Sequence, residues 1–303
     1  MKRNFLLAAL FAAAFISCDH AVQTGEDMTG LIAVNLKVGS RPAHTYVSND
    51  QWETADEVGL YMKKTGQALA TVGAVYSDAA NVKMDITGQT LTSEPPVMYP
   101  TSGNVDFVAY YPYTNLANSD LTILANMAEQ EVGLPVEIMY SNNITNQAPT
   151  EQPVTLNFKY SLAKIELTVS GGANSNLTPA DFAAATASIE GLYTQAILQL
   201  AEGTFTDYQA KQPLTLFRKS VDATLASFEA LVLPSNEEIT FLFDVGGVVY
   251  RHTMTVNYVS ETLYSYNFAL DFPDTPPETA TLLNVIIIPR DEAYIQYITA
   301  PFM

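Results

Sequence analysis

Apolar and polar residues alternate in many short segments along this chain. In the first of them, residues 30–38, every second side chain from residue 32 onward is apolar: Ile32, Val34, Leu36 and Val38. A two-residue period is typical of a β-strand with one buried face. The same period recurs in six later segments, residues 153–160, 163–169, 196–200, 239–245, 248–256 and 264–270. Strands are therefore the dominant predicted element.

Turn residues separate these segments. Gly246-Gly247 lies between two alternating runs and predicts a two-residue hairpin, because both glycines can adopt positive φ. Pro112 is expected to end a strand over residues 105–111, since proline cannot donate a hydrogen bond to the sheet. Helical periodicity is scarce, and one short helix is expected near residues 180–187.

Many short strands joined by regular turns predict an all-β fold built from sandwiches. The stretch over residues 141–153 is rich in Asn and Pro and is the best candidate for a domain boundary. The sequence therefore predicts an amino-terminal β-sandwich over residues 30–150 and a carboxyl-terminal β-sandwich over residues 151–303.

The amino terminus has the features of an export signal. Lys2 and Arg3 precede an apolar run from Phe5 to Ile16, which is shorter than the roughly 20 residues of a membrane span. The run ends in FISC, residues 15–18, which resembles a bacterial lipobox. Residues 1–17 are thus a predicted lipoprotein signal peptide, Cys18 the residue that attaches the protein to outer-membrane lipid, and residues 18–29 a flexible tether.

Two other interpretations of Cys18 remain open at this stage. An ordinary signal peptide would leave it as an incidental thiol. A catalytic role has the least support, because no ordered element flanks the residue to lower its pKa.

The chain is strongly acidic, with a net charge of −18, and removal of residues 1–17 deletes Lys2 and Arg3 to give −20. This charge opposes binding to nucleic acid or to anionic headgroups, so no nucleic-acid partner is expected. Cys18 is the only cysteine, and 48% of the residues are hydrophobic. Stability is therefore expected to come from apolar burial, and the composition argues against general disorder.

Residues with catalytic potential are few. The three histidines, His20, His44 and His252, have no spacing that predicts a metal site or a catalytic triad. No Gly-x-Ser-x-Gly motif or phosphate-binding loop is found. The protein is predicted not to be an enzyme and to need no cofactor. The tyrosines over residues 105–114 are expected to fill a core, although they also suit sugar stacking.

Four segments, in this order, resemble the fimbrillin family of Bacteroidetes surface lipoproteins: residues 52–62, 98–114, 154–169 and 189–205. One departure is Tyr160, which lies where a histidine often precedes the LAKI-like element in such families. The resemblance implies two tandem transthyretin-like β-sandwich domains in a lipidated outer-membrane precursor. It also implies assembly into surface fimbriae that support cell adhesion, with other copies of the chain or related fimbrial subunits as partners.

The resemblance further implies that a protease removes the first strand and that a strand from a neighbouring subunit replaces it. Arg41 follows the first strand and is the predicted cut site, although trypsin-like proteases cut its bond to Pro42 poorly. Lys37, inside the strand, is the alternative.

The last residues of the chain, 293–303, form a candidate donor strand with mainly apolar positions: Ile295, Tyr297, Ile298 and Phe302. Periodicity alone does not separate a donor from the last strand of the chain's own sandwich. A surface carbohydrate-binding lipoprotein is the alternative function, and it would expose coplanar aromatic rings.

Overall fold

The alternating segments form strands in a computed structural model, which describes residues 33–39, 52–53, 55–116, 120–271 and 280–290. The strands of the first half are β1 Leu36–Val38, β2 Glu57–Lys64, β3 Val82–Thr87, β4 Thr90–Thr92, β5 Val105–Tyr111, β6 Thr122–Asn126, β7 Met139–Ser141, β8 Val154–Leu156 and β9 Lys159–Tyr160. A 3₁₀ turn spans Ser77–Ala79. The predicted end of β5 before Pro112 is confirmed.

Eight of these strands form one sheet in the order β8-β1-β4-β3-β2-β5-β7-β9. All described neighbours are antiparallel except β1 and β8, which are parallel. β5 lies in the interior of the sheet, and all seven of its side chains are buried. The tyrosines of β5 therefore fill the core, as the sequence predicts.

One predicted strand, residues 153–160, is wrong as a single element, because it forms the two short strands β8 and β9. The break lies at Asn157 and Phe158. The Asn157 N–H donates to the Asn143 side chain at 2.9 Å, outside the sheet ladder. Phe158 is buried against Trp52, with ring centroids 5.2 Å apart.

The second half contains longer strands: β10 Ala163–Gly171, β11 Thr186–Glu190, β12 Tyr193–Gln199, β13 Thr204–Lys211, β14 Leu214–Thr215, β15 Phe217–Val221, β16 Leu225–Val232, β17 Ser235–Val245, β18 Val248–Tyr258, β19 Thr262–Leu270 and β20 Ala280–Pro289. They form a five-stranded sheet, β15-β16-β10-β19-β20, and a four-stranded sheet, β14-β11-β17-β18. β12 pairs with β13 on one side and with β6 of the first half on the other, in a three-stranded sheet.

Two local predictions in this half are confirmed. The helix α1 spans Pro179–Ala184, and its N-cap Thr178 forms a capping box with Asp181. The β17–β18 hairpin turns at Gly246 and Gly247, whose φ angles are 65° and 77°. Positive φ at both central residues matches the right-handed twist of the flanking strands.

Buried side chains form three clusters. The amino-terminal core contains buried residues from Leu36 to Tyr160, and the carboxyl-terminal core contains buried residues from Ala163 to Ala280. The middle cluster takes side chains from both halves, including Tyr61, Val108, Tyr140, Leu198 and Leu231. The described residues belong to one compact unit. The all-β class is confirmed, and the division into two domains near residue 150 stays a prediction.

Within the described ranges, no helix has the length and apolar character needed to cross a membrane.

Candidate functional site

Strand β1 has only three residues, yet it lies inside the eight-stranded sheet. β4 pairs with it antiparallel, with Leu91 opposite Leu36. β8 pairs with it in parallel on the other side, with Val154 opposite Leu36. β1 therefore joins β8 to the rest of the sheet, and its removal would leave a gap one strand wide between β4 and β8.

Backbone hydrogen bonds extend the pairing of β1 in both directions. Four of them, all 2.8–2.9 Å long, run from Val34 N to Val97 O, Val38 N to Gln89 O, Gly39 N to Leu156 O, and Val154 N to Asn35 O. Donors and acceptors on both sides of the gap would lose their partners without this segment. Unpaired backbone groups of this kind favour the addition of another strand.

The side chains of β1 alternate between core and solvent as the sequence predicts. Leu36 and Val38 are fully buried in the amino-terminal core, and Val34 packs against it. Asn35 and Lys37 are exposed. Burying a Leu or Val side chain contributes about 1.5–3 kcal/mol, so the strand fills two apolar pockets that water would otherwise enter.

Trp52 holds the end of the segment over residues 34–39 by a hydrogen bond and by ring contacts. Its indole Nε1–H donates to the Gly39 carbonyl at 3.0 Å. The ring packs edge-on against Tyr111 and Phe158, at centroid distances of 5.5 and 5.2 Å. The indole thus closes the amino-terminal core just after β1.

Most of the sequence-predicted site residues lie outside the described residues: Cys18, Arg41, Ile295, Tyr297, Ile298 and Phe302. Lys37 is described, and its side chain points to solvent from the middle of β1. Its backbone lies in the sheet, between β4 on one side and β8 on the other. A protease would have to detach β1 before it could bind this bond.

Sequence reasoning missed strand β20. Its sequence ATLLNVIIIP has a continuous apolar run over residues 285–288 in place of alternation. The run of β-branched residues was the signal that could have identified it. β20 is an edge strand paired with β19, and no described strand pairs with its outer edge.

Two buried cations were also missed. Lys164 is 1% exposed, with Nζ 2.8 Å from Glu229 Oε2 and 3.7 Å from Glu166 Oε1. Arg290 is 1% exposed at the side chain and pairs with Glu137. Each cation is separated from its main partner by 65 or more positions, so no local pattern reveals either pair.

Most of the described aromatic side chains belong to the three core clusters. No tryptophan, tyrosine or phenylalanine among the described residues is exposed. Tyr110 donates its hydroxyl to Asn81 at 2.6 Å, and burial raises the pKa of Tyr110 to about 12. The exposed coplanar rings required of a sugar-stacking site are therefore not found in the described part of the chain.

A surface cavity of about 380 Å³ lies between α1, β14, β15 and the loop that contains Glu131. Arg218 lies at its wall and donates to the carbonyls of Ala183 and Ala185 at 2.6 and 3.3 Å. Phe228 also lines the cavity but is only 1% exposed, so its ring offers little stacking surface.

The histidine within the described ranges, His252, has a structural environment. His252 shares a hydrogen bond with the Ala280 carbonyl at 3.0 Å and packs against Phe268, so this imidazole has a structural partner. No group of three or more His, Cys, Asp or Glu side chains within those ranges is suited to hold a metal ion.

The strands and sheets define an all-β protein in which β1 lies between β4 and β8. The model of the fimbrillin-like family matches residues 45–289, which is most of the chain. The chain belongs to this family. The resemblance found in the sequence is thereby confirmed, and the family consists of fimbrial and adhesion subunits, not of enzymes.

Known relatives agree with this assignment. The chain is 26% identical over 207 residues to a Bacteroides uniformis protein named as fimbrium subunit Fim1C, and the match covers 67% of each chain. The crystal structure of a protein described as a cell adhesion protein, also from Bacteroides uniformis, has a TM-score of 0.65 at 20% identity. It covers 88% of this chain and 100% of its own.

A second crystal structure, of a protein described as a cell adhesion protein from Bacteroides ovatus, has a TM-score of 0.57 at 14% identity. The match covers 84% of this chain and 97% of the other. At these identities the two structures establish the shared fold.

Proposed function

We propose that this protein is a structural subunit of surface fimbriae and assembles by strand exchange after proteolysis removes the segment that contains β1. The observation that carries the proposal is the position of β1. It is a very short strand with two buried side chains, and it lies between β4 and β8 inside a sheet. Its removal would create a groove with apolar pockets and free backbone groups on both sides.

Such a groove suits strand addition from a second subunit. Main-chain hydrogen bonds supply the affinity, and pockets for alternate side chains fix the register. The donor is the segment 293–303 of a neighbouring copy or of a related fimbrial subunit. In it, Ile295 and Tyr297 are two residues apart, as are Leu36 and Val38.

Arg41 is the better of the two processing sites. It follows β1 in the sequence, so a cut there releases the whole strand. A cut at Lys37 requires the protease to reach a bond that lies between two neighbouring strands. The Pro42 that follows Arg41 slows a trypsin-like enzyme, which would make processing selective for a dedicated protease.

Lipid on Cys18 would hold the precursor at the outer membrane, exposed at the cell surface, before assembly. The Lys2-Arg3 start, the short apolar run and the FISC sequence support this step. Replacing Cys18 with Ala should abolish metabolic lipid labelling and release the precursor from the membrane fraction. Undiminished labelling of that variant would exclude Cys18 as the anchor.

Electrophoresis without boiling tests the assembly. The intact precursor is expected to stay monomeric, and protein cut near Arg41 is expected to form detergent-resistant ladders. Deleting residues 294–303 should abolish the ladders without preventing secretion.

Two matched variants control for the cut site. Arg41→Ala should block both processing and ladders, whereas Lys37→Ala should leave both unchanged. If cut protein that lacks the tail still forms ladders, the C-terminal segment is not the donor and the mechanism is wrong.

A further inference from the structure

The C-terminal strand β20 is paired along one edge only. It pairs on one side with β19, from Thr262 opposite Pro289 to Leu270 opposite Ala280, with one irregularity in the register. No described strand covers its other edge, and Leu283 and Ile287 are 44% and 59% exposed. A pull on the chain beyond residue 290 would open these pairs one after another, starting at Pro289.

A buried arginine follows β20 at once. The Arg290 side chain is 1% exposed, and its guanidinium pairs through both terminal nitrogens with the Glu137 carboxylate. Nη1 also donates to the Leu162 carbonyl at 3.2 Å. The guanidinium carbon lies 3.7 Å from the centroid of the Tyr160 ring. A planar, two-pronged cation stacked on an aromatic ring is a contact that lysine cannot reproduce.

These partners do not belong to the sheet that contains β20. Glu137 precedes β7, and Tyr160 lies in β9, the edge strand of the eight-stranded sheet. The Arg290 N–H in addition donates to the Glu261 carbonyl at 2.6 Å, just before β19. The end of β20 is therefore fixed to the amino-terminal core as well as to its own sheet.

We propose that Arg290 is a positioning residue that fixes the start of the C-terminal segment, residues 291–303. Tension on this segment then passes into the amino-terminal core and does not peel β20 from β19. The inference rests on the proposed function, in which residues 293–303 connect one subunit to the next. Breaking the contact leaves the Glu137 carboxylate, whose side chain is 12% exposed, without the arginine and removes the barrier at the point where peeling begins.

Single-molecule pulling on the monomer tests this role. One handle is attached at the C-terminus and the other at a Val72→Cys substitution in a Cys18→Ala background, because Val72 is fully exposed. The chain with Arg290 intact should extend only when the fold opens cooperatively. Arg290→Ala should add an early step at low force that releases residues 280–290, a lengthening of roughly 30–40 Å.

Two further variants sharpen the test. Arg290→Lys keeps the charge and should show the early step at an intermediate force, which also covers the case in which Arg290→Ala fails to fold. Arg251→Ala, on the exposed face of β18, should behave like the unmodified chain.

The proposal would be overturned if neither Arg290 variant showed the early step. It would also be overturned if the variants only lowered the force at which the whole fold opens. The pull uses monomers, so its outcome is independent of ladder formation. If the cut protein forms no ladders but the Arg290 variants show the early step, the result counts against the proposed function and not against the role of Arg290.

Discussion

The two halves of the molecule use strands of very different length. In the eight-stranded sheet, β1, β4, β7 and β8 have three residues each. In the second half, β17 and β18 have eleven residues each and pair along their whole length. The carboxyl-terminal core also contains a cluster of stacked and tilted rings, including Phe241, Phe243 and Phe268.

This difference indicates where the fold can open. Local opening costs least where few buried contacts and few backbone bonds hold an element. β1 has only three residues, so few backbone hydrogen bonds hold it. Its two buried side chains are as well buried as those of the second half. The carboxyl-terminal core is expected to stay folded while β1 leaves, which is the property that strand exchange requires.

The largest expected effect concerns the buried ion pair of the second half. Glu229→Gln removes the carboxylate 2.8 Å from Lys164 Nζ and leaves this cation, which is only 1% exposed, with Glu166 at 3.7 Å. The free energy of unfolding should fall by about 3–5 kcal/mol, as for other broken buried pairs. Urea denaturation followed by circular dichroism measures the change.

A matched surface pair in the first half supplies the control. Glu57 and Lys83 lie 2.7 Å apart but are 41% and 45% exposed. Glu57→Gln should leave the urea midpoint unchanged, since solvent screens exposed pairs. If Glu229→Gln and Glu57→Gln lowered the free energy of unfolding equally, the buried pair would contribute no more to stability than the exposed pair.

Two leucines of equal burial compare the halves directly. Leu167→Ala in β10 should lower global stability by about 2–5 kcal/mol. Leu36→Ala in β1 should lower it less, because local detachment of β1 limits the loss. Trp52 is the only tryptophan and lies beside β1, so its fluorescence reports on that region and circular dichroism on the whole.

The two probes should separate for one leucine variant and coincide for the other. In Leu36→Ala, fluorescence should change at lower urea than circular dichroism. In Leu167→Ala, both signals should shift together. Coincident curves in Leu36→Ala would show that β1 does not detach independently.

Trp52→Phe should have a smaller effect. The change removes the 3.0 Å hydrogen bond to the Gly39 carbonyl and keeps an aromatic ring between Tyr111 and Phe158. The loss is expected to be about 0.5–1.5 kcal/mol. Hydrogen exchange should accelerate in residues 34–39 and stay constant in β17 and β18. Faster exchange throughout the chain would show that Trp52 does not act only on residues 34–39.

The last effect appears only at alkaline pH, and both halves share it. Burial raises the pKa of Tyr110 in the first half and of Tyr266 in the second to about 12. Each tyrosine ionises near pH 10 in the unfolded chain, so its contribution is complete below pH 10 and is lost as the pH rises toward 12. Tyr110→Phe and Tyr266→Phe should each flatten the decline in stability measured between these pH values. An unchanged slope in either variant would contradict the effect of burial at that position.

The sequence predicts much of the fold because its signals there are local. The alternation of Val34, Leu36 and Val38 gives the buried face of β1, and two glycines give the β17–β18 turn. Local pattern fails where pairing is distant. Nothing near Lys164 or Arg290 indicates a buried partner, and β20 lacks alternation because apolar residues occupy both of its faces.

The candidate site was only partly predictable. The sequence identifies β1 as a half-buried strand, but its place between β4 and β8 depends on residues 50–120 positions away. That position, and not the alternation itself, creates the groove.

Peptide uptake by the cut protein tests the replaceable strand most directly. A fluorescent peptide with the sequence of residues 293–303 is titrated into protein that is cut near Arg41 and lacks its own tail, with a scrambled peptide and the uncut precursor as controls. We predict saturable binding at one peptide per chain, restricted to the cut protein and the native sequence. Equal uptake by the uncut precursor, or none by the cut protein, would contradict the account.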